Sequence, residues 1–175
     1  MLFRSKESLH PWRRLVNPLP TMREREFQCE LWLPLPPAEL FPFFADAGNL
    51  DAITPPWLNF HIVTPRPIEM RPGALIDYQL RVRGLPLRWR TLIKEWQPPH
   101  RFVDEQVRGP YRQWIHTHTF EPRDGGTLAR DVVRYAVPFD FIAHPLFVRR
   151  DIEKIFAFRQ EALCLRFGKA ELPRG

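Results

Sequence analysis

The sequence predicts an α+β domain: a strongly curved antiparallel sheet of about six to seven strands wrapped around one long C-terminal helix, with two short helices after the first strand. Three observations predict it. From Ala74 to Val137 apolar and polar residues alternate in segments separated by short turn signals, the pattern of a strand meander. From Pro145 to Phe167 no further Gly or Pro interrupts the chain, and Val148, Ile152, Ile155, Phe156, Ala162 and Leu163 share one helical stripe. Before the meander, proline-bounded pieces leave room only for short elements. A curved sheet and one amphipathic helix bury each other's apolar faces, and the short helices close one end.

Phe27 to Leu33 alternates and reads as the first strand, stopped by Pro34. Pro36 and Pro37 suit a helix start, and Ala38 to Ala45 supplies an apolar helix that Pro42 should kink by removing one backbone bond. Asp46 to Leu50 turns into a second short helix that ends before Thr54-Pro55-Pro56-Trp57, and a strand carries Phe60, Ile62 and Val63 to Pro65. The meander then runs from Leu75 to Leu85, turns at Gly84 to Pro86, and returns as Leu87 to Trp96. After Pro98-Pro99 it continues through Arg101 to Val107, the Gly109-Pro110 turn, the strand around Trp114, and the Asp124-Gly125-Gly126 hairpin into Thr127 to Val137. The closing helix spans roughly 35 Å at 1.5 Å per residue, and Gly168 is its stop.

With 175 residues, 44% hydrophobic and 13% aromatic, the chain has room for one well-cored domain, placed at 23–168, between an N-terminal tail (1–22) and a C-terminal tail (169–175). The 20 prolines fall mostly in pairs between periodic segments, so they punctuate a fold and do not mark low complexity. Arg4, Lys6, Arg13 and Arg14 against Glu7 put half of the net +6 into the first 22 residues. The domain proper is only mildly basic and has no concentrated Lys/Arg stripe, which argues against a nucleic-acid partner. Met22 immediately precedes the first regular segment, so the tail reads either as a disordered arm or as the product of an upstream start codon. Two cysteines, Cys29 and Cys164, make no disulfide framework. No apolar run reaches the length of a membrane span and no signal-peptide core is seen, so a cytoplasmic protein with no integral membrane segment is expected.

The chemistry concentrates on one face. In Gly109 to Phe120 the residues Trp114, His116, His118 and Phe120 recur at a spacing of two and share one side of a strand. Phasing the other strands by their apolar residues gives an inner face of Ile76, Tyr78, Leu80 and Val82; Trp89, Thr91, Ile93 and Glu95; Phe102, Asp104 and Gln106; and Asp131, Val133, Tyr135 and Val137. The outer face is charged, with Asp77, Arg81, Arg83, Arg88, Arg90, Lys94, Arg130 and Arg134. Arg159 lies seven residues after Ile152, on the apolar stripe of the long helix. A buried guanidinium needs an anionic or polar partner, which Glu95, Asp104, Asp131 or a ligand carboxylate would supply. Buried polar groups commonly satisfy one another as a structural network. Titratable rings facing a cavity are equally a mark of a site.

His116 and His118 with Asp131 or Asp104 would form a two-His, one-carboxylate set, which the spacing permits and does not demand. No further Cys or His cluster completes it, and no metal is expected. No cofactor is expected either: the chain has no Gly-rich phosphate loop, nucleophile-elbow Ser or Cys-x-x-Cys.

Asn49 to Pro56, Phe102 to Gln106, Gly109-Pro110-Tyr111, Trp114 to Phe120, Gly126-Thr127 and Ile155 to Arg159 resemble a bacterial ligand-binding branch of the START-like, helix-grip (SRPBCC) superfamily, which includes polyketide cyclases, coenzyme Q-binding proteins and lipid-transfer domains. The resemblance covers Glu26 to about Phe167 and implies the helix-grip fold with a hydrophobic cavity. One fold hosts binders, carriers and enzymes, and no catalytic motif of the cyclases maps onto this chain. The first expectation is therefore binding or carriage of a small hydrophobic molecule, a lipid, quinone or polyketide-like compound. Tyr78, Trp89, Phe102, Trp114 and Phe120 would give apolar contact, and Gln106, His116, His118 and Arg159 would orient a polar end, with Asp104, Asp131 and Tyr135 on the same face. The alternative is a cyclase or dehydratase in which His116 or His118, tuned by Asp104 or Asp131, moves protons. A third reading is an interaction module using the basic outer face. Nothing in the sequence fixes oligomeric state.

Overall fold

The structure, a computed structural model, describes residues 23–138 and 147–168. Seven strands form one antiparallel sheet: β1 (Arg25–Leu33), β2 (His61–Ile62), β3 (Leu75–Val82), β4 (Leu85–Gln97), β5 (Arg101–Arg108), β6 (Gln113–Arg123) and β7 (Gly126–Ala136). Their order across the sheet is β1-β7-β6-β5-β4-β3-β2. Helix α1 (Pro37–Ala45) follows β1, and α2 (Arg149–Phe167) closes the domain. The expected helix-grip α+β architecture is the one observed. The two expected tails, and Pro145 and Leu146 at the expected start of the long helix, lie outside the described residues.

Strand β1 joins the end of the meander by pairing along its whole length with β7, from Arg25 opposite Tyr135 to Leu33 opposite Thr127. That long-range pairing covers the edge of β7, so that β5, β6 and β7 are all interior strands of the sheet. On α2, Ile152, Phe156 and Leu163 are buried, four and seven residues apart, and Arg159 falls on the same stripe. Phe41 of α1 meets the rings of Trp96, Phe102 and Phe120, so α1 caps one end of the sheet with an aromatic cluster.

Several local expectations are corrected. The β3–β4 turn is Arg83-Gly84, both at positive φ, and Pro86 lies inside β4 opposite Arg81. Two adjacent left-handed residues match the twist of a tight hairpin, so the loop needs only two residues. The second short helix is a 3-10 segment over Ala47–Ile53, started by Asp46, whose side chain accepts from the Gly48 amide at 2.8 Å, and followed by another at Pro56–Leu58. Strand β2 is only two residues long. Helix α1, by contrast, runs to Ala45 with Pro42 inside it, as expected.

One phase error bears on the site. The register between β4 and β5 shifts between Ile93 and Glu95, leaving Lys94 as an extra residue. A bulge of one residue exchanges the faces of everything beyond it. Glu95 therefore turns to the outer face, where it pairs with Arg101 at 3.1 Å, and Trp96 takes the inward position against Phe102.

Candidate functional site

Between the concave face of the sheet and α2 lies a cavity of about 400 Å³. Its walls come from β3 and β4 (Ile76, Tyr78, Leu80, Trp89), from α2 (Ile152, Ile155) and from the short helical segments (Leu50, Ile53). These side chains are apolar or aromatic because alternation on the strands sends every second residue inward. Size and lining are those of a small-molecule site.

The polar groups gather where β5, β6 and β7 run side by side. Asp104 is opposite His116 across β5 and β6, and His118 is opposite Asp131 across β6 and β7. Four ionisable side chains thus form a compact square. Asp131 Oδ1 accepts from His116 Nε2 at 3.0 Å, and His118 Nε2 lies 2.9 Å from Asp104 Oδ2. His118 Nδ1 stands 2.8 Å from Asp131 Oδ1, a close charge contact without the alignment of a hydrogen bond. The two imidazoles overlap at a centroid distance of 3.7 Å, and Phe102 stacks on the far face of His118 at 3.9 Å. Neither histidine exposes more than 7% of its surface.

Burial and charge act against each other here. Burial would raise both carboxyls, but the His118 hydrogen bond and the His116, His118 and Arg159 charges hold Asp104 below the usual range. For Asp131 the Arg159 charge, the His116 hydrogen bond and the close contact with His118 outweigh burial and hold it well below that range. Burial lowers His116, with the neighbouring His118 charge adding to it, and the aspartates only partly restore it. For His118 burial also lowers, but the hydrogen bond to Asp104 and the close contact with Asp131 prevail and the ring is raised. The two imidazoles are thus driven in opposite directions, His118 toward its protonated form and His116 toward its neutral one.

Arg159 enters from α2. Its Nε is 3.6 Å from Asp131 Oδ2, and its guanidinium carbon lies 5.7 Å from the centre of the Phe44 ring. Behind Asp131, on β1, burial and then the Asp131 charge push the Cys29 thiol up to about 12, which rules out a nucleophilic role near neutral pH. Tyr78 Oη hydrogen-bonds Thr91 Oγ1, which also accepts from Trp89 Nε1 at 3.1 Å. At the opposite end, the Arg83 fork holds both oxygens of Asp151 at 2.9 Å, joining the β3–β4 hairpin to the start of α2.

Of the residues singled out from sequence, Tyr78, Trp89, Phe102, Asp104, Trp114, His116, His118 and Arg159 line the cavity. Asp131 and Phe120 stand behind the histidines against β1 and α2, and Tyr135 is buried in the core beside Val133 and Phe156. Gln106 is drawn away: its amide both donates to the Tyr111 carbonyl at 2.7 Å and accepts from the Tyr111 amide at 3.2 Å. Gly109 makes room for it, since a Cβ there would meet Gln106 Oε1 at 2.2 Å. Tyr111, Phe43, Leu50, Ile53 and Phe60 line the cavity without having been candidates, because loops and short helices carry no period by which to phase them.

Asp104, His116 and His118 each offer a ligand atom within 4.8 Å of the others, so they meet the geometric condition for holding a metal ion. Coordination would break the Asp104–His118 hydrogen bond and place a further cation beside Arg159.

Fold and cavity together define a helix-grip protein with an internal, polar-floored pocket. The chain belongs to the family described as "Polyketide cyclase / dehydrase and lipid transport", whose model matches residues 33–164. Among solved structures it is similar to a protein of Chromobacterium violaceum (15% identity, TM-score 0.64, covering 81% of this chain and 96% of that one). It is similar too to the ginseng major latex-like protein 151 of Panax ginseng (8%, 0.61, 82% and 97%). A third likeness is to a point mutant of a Thalictrum norcoclaurine synthase in complex with a transition-state analogue (12%, 0.60, 83% and 98%). At these identities the likeness concerns the fold. No curated protein matches the sequence. Among the described residues no helix is long and apolar enough to cross a membrane.

Proposed function

We propose that this protein binds or carries a small hydrophobic molecule, of lipid, quinone or polyketide-like chemistry, between the sheet and α2. The observation that carries the reading is the cavity: about 400 Å³, walled by apolar and aromatic side chains, with its ionisable groups confined to one end. Lipid transport in the family's description supports it. Tyr78, Trp89, Phe102 and Trp114 supply apolar contact, and His116, His118 and Arg159 receive the polar end. Phe120, Tyr135 and Asp131 hold these residues in place, and Gln106 fixes the neighbouring turn at Tyr111. Native mass spectrometry of the full chain, followed by identification of molecules released on denaturation, tests the reading. A co-purifying apolar compound in stoichiometric amount is expected. An empty protein that takes up no apolar compound when challenged would overturn it.

A second reading, a cyclase- or dehydratase-type enzyme, is favoured by one observation: two imidazoles stand 3.7 Å apart, each tied to a carboxylate and shifted in opposite directions, His116 down and His118 up. Such a pair offers a base and an acid to one carbonyl substrate. It predicts turnover that falls by about two to four orders of magnitude in His116→Ala, with a bell-shaped pH profile. The basic outer face of Arg81, Arg83, Arg88 and Arg90 offers less, because Arg83 and Arg90 are already paired with Asp151 and Asp77.

A further inference from the structure

At the polar end of the cavity one cation is short of partners. The Arg159 side chain is only 11% exposed, and its Nε is buried without a hydrogen-bond partner. Its nearest carboxylate oxygen, Asp131 Oδ2, stands at 3.6 Å, beyond hydrogen-bonding distance. The other oxygen of Asp131 is engaged by both histidines. A guanidinium presents N–H donors in a planar fork that matches a carboxylate, and burying it without acceptors is costly. Arg159 lies on the cavity wall, so an acceptor that satisfies it can come from a ligand.

We infer that the ligand is an amphipathic monocarboxylate, an apolar chain ending in a single carboxylate, whose head group is bound by the guanidinium of Arg159. This rests on the ligand-binding reading above. The floor selects charge as well as shape. Asp104 and Asp131 already place two carboxylates there, so a dianionic phosphate would meet like charge beside a single free cation. One added negative charge can be absorbed, because the floor also holds two imidazoles, each within reach of a carboxylate, that can take up protons. The groups that face His116 are Asp104 from β5, His118 beside it on β6, Asp131 from β7, and Phe156 from α2, with Arg159 across Asp131 and Cys29 behind it on β1. A neutral head group would satisfy the donors with hydrogen bonds about half as strong.

The test uses the delipidated full chain and three probes of equal chain length, decanoate, decanol and methyl decanoate, followed through the fluorescence of Trp89 and Trp114, which line the cavity. Decanoate is expected to bind about tenfold or more tightly than either neutral probe, the range of a hydrogen bond to a charged group. The preference should widen as pH is lowered from about 8 to about 6, while His118, the raised ring of the pair, gains its proton. In Arg159→Met it should vanish, through a larger loss for decanoate than for decanol, and Arg159→Lys should restore part of it. Equal wild-type affinities for acid and alcohol would overturn the inference and leave the cavity reading standing, as would a preference that survives in Arg159→Met. If none of the three probes binds, the cavity reading fails and the inference with it. Should Arg159→Met not fold, the wild-type ratio of acid to alcohol decides by itself.

Discussion

Asp77 and Asp131 occupy opposite faces of one sheet and meet water very differently. On the outer face, Asp77 receives both arms of the Arg90 fork at 2.7 and 2.8 Å, with both side chains about two-fifths exposed. On the inner face, Asp131 is 17% exposed and shared among His116, His118 and Arg159 at 3.0, 2.8 and 3.6 Å. The better geometry lies outside, where solvent and salt screen it. The greater consequence lies inside, where each group depends on the others to remain charged without water. Burial, more than pairing distance, decides what a charge does in this molecule.

The largest effect should come from removing the shared anion. Asp131→Ala leaves the buried Arg159 without its nearest carboxylate and His118 with Asp104 alone, and is expected to cost about 3–5 kcal/mol in urea unfolding. The pH dependence follows the same residues. Asp104 and Asp131 are depressed in the folded state, so their contribution is present above the unfolded value of about 3.9 and is lost as pH falls through their lower folded values. Wild type should therefore lose stability steeply below about pH 4, and Asp131→Ala should flatten that descent. A stability change within experimental error would put the inner cluster on a par with the outer pair and remove the contrast.

Next in size is the separation of the two imidazoles. His118 is raised, so its contribution is complete below the unfolded value of about 6.5 and disappears as pH rises through its folded value. His116 is lowered, so its contribution is present above about 6.5 and fades as pH falls through its folded value. Nitrogen-detected NMR titration should place the two rings on opposite sides of about 6.5; two coincident titrations would dissolve the acid–base asymmetry. The smallest effect belongs to Asp77→Ala, whose urea midpoint should coincide with that of wild type at physiological salt. A clear loss there would show that exposure does not weaken the outer pair as argued.

Much of this contrast could be read before folding. Period-two alternation placed Asp104, His116, His118 and Asp131 on one face because no bulge interrupts β6 or β7, whose register runs unbroken from Gln113 to Arg123. Helical spacing put Arg159 on the buried stripe for the same reason. Where a local rule broke, the inference broke with it. The extra residue at Lys94 sent Glu95 outward, and the close approach allowed by Gly109 let Gln106 fold back onto its own turn. The non-strand walls of the pocket, Leu50, Ile53 and Phe60, have no period to betray their direction. That an enclosed space lies above the histidines depends on the curvature of the whole sheet, which no single segment encodes.

The central claim is that the space above His116 and His118 is a binding cavity and not slack in a packed core. Filling it is the most direct test. Leu80 lines the cavity and is nearly buried, so Leu80→Trp places a large ring in that space. Thermal unfolding and titration with decanol would be measured on the same variant. The account predicts an unfolding midpoint close to wild type and at least tenfold weaker binding. A loss of about 1–3 kcal/mol from overpacking, with decanol binding unchanged, would contradict it.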